Sequence, residues 1–100
     1  MPTAAFPDDS RPLYTVGQVA ELVGVQQAFL RRLDQYDVVS PARSDGAQRR
    51  YSRNDIGRVE AALDLIGEGI TLAGVRRVFE LQAEVNALKA ELARERARRR

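Results

Sequence analysis

Two short amphipathic patterns divided by a glycine, a turn-rich basic stretch and two longer helical patterns predict a mainly α fold. The expected architecture is a winged helix-turn-helix with a short two-stranded wing, two supporting helices and a C-terminal dimerisation helix. The first pattern places Val16, Val19, Ala20 and Val23 on one helical face. Thr15 followed by Gln18 is a capping box, which starts that helix. Gly24 ends it, because a residue without Cβ enters the left-handed region at little cost. A second helix is expected over Gln27–Leu33, with Phe29, Leu30 and Leu33 apolar. Two short helices across a tight turn form a helix-turn-helix, whose second helix enters the major groove. Here that helix carries Gln26, Gln27, Arg31 and Arg32, able to bond base edges or phosphates.

The stretch Ser40-Pro41-Ala42-Arg43-Ser44-Asp45-Gly46-Ala47-Gln48-Arg49-Arg50-Tyr51 follows. Two very short strands around an Asp45-Gly46 turn make it a wing. The net charge is only +2, but it is unevenly placed. Residues 41–53 hold four arginines against one aspartate; residues 54–80 hold three arginines against five carboxylates. Positive charge therefore sits on the wing and not on the support behind it. Arginine-rich composition explains arginine over lysine, Lys89 being the one lysine, but not the clustering.

Ser52 and Asp55 form a second capping box, and Ile56, Val59, Leu63 and Ile66 mark a third helix that Gly67 and Gly69 stop. Thr71 caps a fourth, with Leu72, Val75, Val78 and Phe79. Gly74 within it costs about 1 kcal/mol relative to Ala, and close approach to the third helix is the expected compensation. Val78, Leu81, Val85, Leu88 and Leu92 then recur three and four apart, a heptad seam. The seam either pairs with a second copy or folds back on its own domain; pairing is favoured, because a solitary arm would expose its leucines. Residues 94–100 form a basic tail that is either solvated or in contact with phosphates.

The organisation is thus a disordered or extended leader (1–12), a winged helix-turn-helix (13–80) and a short coiled-coil helix with a basic tail (81–100). Leu13-Tyr14 is expected as a short strand or staple. The chain contains neither Cys nor His. That excludes a disulfide framework and a thiolate metal site, and removes the commonest general base. The carboxylates fall on helical faces and caps, and no glycine-rich loop suits a phosphate, so an enzyme is not expected. Neither is a cofactor or metal. No apolar run nears the ~20 residues of a membrane span, and a cytoplasmic location is the default.

Several stretches resemble the MerR family of winged-helix transcription regulators. They are Tyr14–Ala20, Gly24-Val25, Leu30-Arg31, Val38–Arg43 and Arg49–Ser52. The Ser-Pro-x-Arg and Gly-x-x-Arg-Arg-Tyr-Ser wing, with Gly69–Val75, looks closest to the heat-shock repressor (HspR-like) branch. The resemblance covers residues 13–81. It implies a homodimer through an antiparallel coiled coil, bound to double-stranded DNA in a bacterial nucleoid, and a repressor with an Hsp70-class chaperone as co-regulator. Arg31 matches the family's DNA-contacting arginine, its other reading being a surface charge paired with Asp34. Arg43 and Arg49 match wing positions that hold phosphates in relatives, whereas Arg50 and Tyr51 serve either DNA or the packing of the wing. The chain departs from the family at Leu33, where relatives have tyrosine, and at Asp37, where they have glycine. Asp34 and Asp37 also set two negative charges near the presumed DNA. Small MerR-like domains include chaperone modulators that bind a J-domain co-chaperone and no DNA, and that is the alternative function. The basic wing and Arg31, which a pure protein binder does not need, discriminate against it. A DNA-coating or excisionase-like architectural protein is a third reading, opposed by the heptad seam.

Overall fold

The computed structural model describes residues 9–100. Strand β1 (Tyr14–Thr15) leads into α1 (Val16–Val23), then α2 (Gln27–Gln35), β2 (Ala42–Arg43), β3 (Arg49–Tyr51), α3 (Arg53–Gly67) and α4 (Leu72–Arg98). The mainly α architecture agrees with the sequence reading. Thr15 Oγ1 accepts from the Gln18 amide, and Gln18 Oε1 accepts in turn from the Thr15 amide. Gly24 closes α1 in the left-handed region at φ 80°. Ser52 and Asp55 repeat the reciprocal cap at α3, and Thr71 accepts from the Gly74 amide at α4.

Two features of the sheet differ from expectation. The wing has a third strand: the order is β1-β3-β2, with Tyr14 opposite Tyr51 and Ala42 opposite Arg50, both pairs antiparallel. The strand before α1 thereby fixes the wing to the head. The turn is also one residue longer than an Asp45-Gly46 hairpin. The Ala47 amide donates to the Ser44 carbonyl and the Ser44 amide to the Gln48 carbonyl, each at 2.8 Å. Such a three-residue loop puts its last residue in the left-handed region. That residue is Ala47, at φ 62°, and not Gly46.

The core forms where α1, α2 and α3 meet the sheet. Val19, Leu30, Leu33, Val38, Val39, Tyr51, Val59, Ala62 and Val75 are buried there. Leu33, where the resemblance leads one to expect a tyrosine, has no exposed surface and belongs to the core. Asp37 takes φ 57°, the left-handed geometry for which relatives use glycine. Gly74 does not answer to the third helix. A Cβ there would lie 2.8 Å from Ile70 Cγ2 and 3.4 Å from Thr71 Oγ1, so the space is taken by the helix's own cap.

Helix α4 begins in the core at Val75 and leaves it. From Leu81 to Arg98 every residue except Glu95 is exposed. The arm does not fold back, which removes that reading of the seam. The radius of gyration, 16.0 Å, reflects this projection; a compact chain of this length has about 13 Å. The proposed division at residue 80 falls inside a continuous helix. Of the expected leader, residues 1–8 lie outside the described residues. The Asp9 carbonyl accepts from the Asn54 amide at 3.1 Å, beside the start of α3.

Candidate nucleic-acid interface

Helix α2 and the wing face each other across a concave surface of about 390 Å³. Arg31 lines it from α2, and Arg43, Arg49 and Arg50 line it from the wing. Thr15, Val16, Ala47 and Gln48 complete the lining. Four of the eight expected DNA-binding residues are thus brought together. The clustering follows from the fold: the α1–α2 turn presents α2 outward, and the β2–β3 ladder sets Arg43 directly opposite Arg49.

Like charges directly opposite one another destabilise a ladder. Here Asp34 of α2 compensates. Its Oδ2 accepts from Arg49 Nε at 2.7 Å and from Arg43 Nη2 at 3.1 Å. Asp34 is therefore paired with the wing arginines and not with Arg31. Arg31 Nη2 donates to Gln27 Oε1 at 3.3 Å. Arg43 Nη1 donates to the Ala47 carbonyl at 3.3 Å and so braces the loop tip.

The remaining assignments separate. Gln26 is exposed at the N-cap of α2 and makes no capping bond. Gln27 is exposed but occupied with Arg31, its Nε2 lying beside Gly17. Arg32 is exposed outside the concave surface, in the last turn of α2. Of the two readings of Tyr51, DNA contact and packing of the wing, its burial supports the second. It has no exposed surface, so it cannot touch DNA and instead packs the wing onto the core. Its hydroxyl has no hydrogen-bond partner among the described residues. Burial raises its pKa above the ordinary 10.0, opposed by the Arg49 guanidinium. Arg53, counted with the wing's charge, stands at the start of α3, where a side-chain hydrogen bond with Tyr14 raises its pKa.

Two of the lining residues, Gln48 and Thr15, are polar groups that the sequence reading did not select. Thr15 was legible only as a cap. Gln48 lies between Ala47 and Arg49, and its loop position was the available signal. Among the described residues no group of acids could hold a metal ion, and no helix is long and apolar enough to cross a membrane.

The seam forms a second exposed surface. Leu81, Val85, Leu88 and Leu92 are 44, 47, 63 and 49 % exposed. Val78, Leu81 and Val85 line a shallow groove with Gln82, Asn86 and Lys89.

A Streptomyces coelicolor protein named for heat shock, HspR, is 40 % identical over 89 residues, 85 % of this chain and 59 % of its own length. The HTH-type transcriptional regulator GlnR of Bacillus anthracis is 32 % identical over 85 residues, 82 % of this chain and 66 % of its own length. The chain thus spans less than two thirds of either relative. Among solved structures, MtaN, the N-terminus of the Bacillus subtilis multidrug transporter activator, superposes with a TM-score of 0.64 at 27 % identity, over 85 % of this chain and 86 % of that one. HiNmlR, a MerR family regulator lacking the sensor domain and bound to promoter DNA, shares the fold at TM-score 0.61 and 24 % identity, over 82 % and 80 % of the two chains. The family match runs over residues 14–82, from the first strand of the sheet into the arm. It takes in every element that builds the basic surface, and the chain belongs to the MerR HTH family of regulatory proteins, which are regulators and not enzymes.

Proposed function

We propose that the chain is a sequence-specific DNA-binding transcriptional regulator, acting as a repressor, that binds as a homodimer with α2 in the major groove and the wing over the phosphate backbone. The observation that carries this reading is the convergence of Arg31, Arg43, Arg49 and Arg50 on one concave surface beside α2. A helix flanked by a basic wing supplies both kinds of contact that specific binding needs: base edges from the helix and phosphates from the wing. HiNmlR, which shares this fold, is bound to promoter DNA in its crystal structure. The exposed seam of α4 supports the homodimer, since two arms would cover each other's leucines. The repressor role and the Hsp70-class co-regulator rest on the sequence resemblance to the heat-shock repressor branch.

Selection of bound duplexes from a random pool tests the proposal. A two-fold symmetric site is expected from a dimeric reader, with affinity falling steeply as salt rises, a log–log slope of about −0.9 per neutralised phosphate. No enrichment would favour the chaperone-modulator reading. A repressor lowers transcription from a promoter carrying the selected site, and an activator raises it. Added Hsp70-class chaperone tightens the complex if it is a co-repressor.

A further inference from the structure

Strands β2 and β3 of the wing are both tied to α2 through one oxygen. Arg43 stands on β2 and Arg49 on β3, and they face each other across the ladder. Both donate to Oδ2 of Asp34, at 3.1 and 2.7 Å. The Asp34 side chain is only 15 % exposed and that of Arg49 19 %, so this is not a solvent-screened surface pair. Through its second nitrogen, Arg43 extends the connection to the Ala47 carbonyl at the loop tip. Two bonds, Asp34 to Arg43 and Arg43 to the Ala47 carbonyl, thus run from α2 to the end of the wing, with Arg49 joined at Asp34.

We infer that Asp34 is a positioning residue for DNA: it locks the wing to α2 and so fixes the distance between the side chains that read bases and those that hold phosphates. Its charge has a second effect. It cancels one of the positive charges on the surface, so that specific fit is gained at some loss of indiscriminate attraction. A wing released from Asp34 would swing its two arginines apart, because like charges opposite each other on a ladder repel. Freed guanidiniums would meet more phosphates, in more arrangements, and α2 would meet the bases in register less often.

Asp34→Asn separates positioning from mere stability. It keeps the shape of the side chain and removes the charge. The expected result is that specific binding weakens while non-specific binding strengthens, so that their ratio narrows about tenfold, and that the salt slope steepens by about one unit. A purely structural role would lower the folded fraction, weaken both kinds of binding equally and leave the slope alone; that outcome overturns the inference. So does an unchanged ratio. Should Asp34→Asn not fold, Arg49→Lys keeps the charge and removes the Nε donor. It should narrow the ratio with the slope unchanged, and an unaltered ratio again refutes the clamp.

The inference rests on the DNA reading, and the two fail separately. Native protein that binds no selected duplex removes the DNA reading. The clamp itself is judged by amide hydrogen exchange in DNA-free protein. Asp34→Asn should speed exchange at Ser44 and Ala47, whose amides close the wing loop, while the amides of α3 keep their native rates. Wing exchange that stays at the native rate overturns the clamp whatever the protein binds.

Discussion

Leu88→Asp tests the dimer where the structure makes the arithmetic simplest. Leu88 lies on the arm of α4 and is 63 % exposed, so its replacement disturbs no contact of the core. Complete burial of a leucine is worth ~1.5–3 kcal/mol, and at this exposure ~1–2 kcal/mol of that remains to be gained on pairing. A two-fold dimer contains the residue twice, so the loss is ~2–4 kcal/mol before the aspartate's own cost is added. That corresponds to self-association roughly 30- to 700-fold weaker. An unpaired carboxylate in an apolar seam weakens it further. Sedimentation velocity across a concentration series reads the change directly. Helicity near 222 nm gives a second readout, since short isolated helices are marginal in water, and the arm should fray as the dimer parts. A variant that sediments as the native dimer at micromolar concentration would refute the reasoning, and the contact between copies would lie elsewhere.

Arg49→Ala removes a phosphate contact and one arm of the Asp34 clamp together, so it should flatten the salt slope by about one unit and narrow the ratio of specific to scrambled binding; Arg31→Ala should narrow that ratio while the wing's amide exchange stays native, and an unchanged ratio by titration would deny Arg31 a base contact. Tyr51→Phe removes a buried hydroxyl without a partner, so chemical denaturation should find it as stable as the native protein or more so, by about 1 kcal/mol. The same residue sets an alkaline limit: its folded-state pKa lies above the ordinary 10.0, so the folded chain keeps a proton that the unfolded chain loses. Stability from this group is complete below pH 10 and falls as pH rises beyond it, and Tyr51→Phe should abolish that slope in a pH series of melts. Ala47→Gly relieves a left-handed alanine and should stabilise the protein by about 1 kcal/mol, to be read as a higher melting temperature; a lower one would mean that the loop tolerates Ala47 without strain.

The helices and their caps were legible because their causes are local. Thr15 with Gln18, Ser52 with Asp55 and Gly24 each act within three or four residues. The features that escaped depend on partners distant in the chain. Nothing around Tyr14 announces that it pairs with Tyr51. Asp34 looked like an acid misplaced near DNA, because its partners lie nine and fifteen residues further on. Tyr51 sits among wing arginines and shares their neighbourhood in sequence, but a period of two turns it inward while Arg50 faces the other way. The turn misled for a different reason. Asp45-Gly46 has the composition of a two-residue loop, yet Ser44 and Gln48 close a loop of three residues and pass the left-handed conformation to Ala47.

Because α4 runs unbroken from Val75 in the core to Arg98, the two ends of the molecule share one helical phase. The head cannot turn without turning the seam. One residue inserted after Glu80 would rotate the seam by about 100° and push it ~1.5 Å outward, away from its partner's matching stripe. Seven inserted residues would return the stripe to within about 20° and lengthen the strut by ~10.5 Å. In the proposed dimer the separation of the two heads, and with it the spacing of the half-sites they would reach, is therefore set by residue count along a single rod.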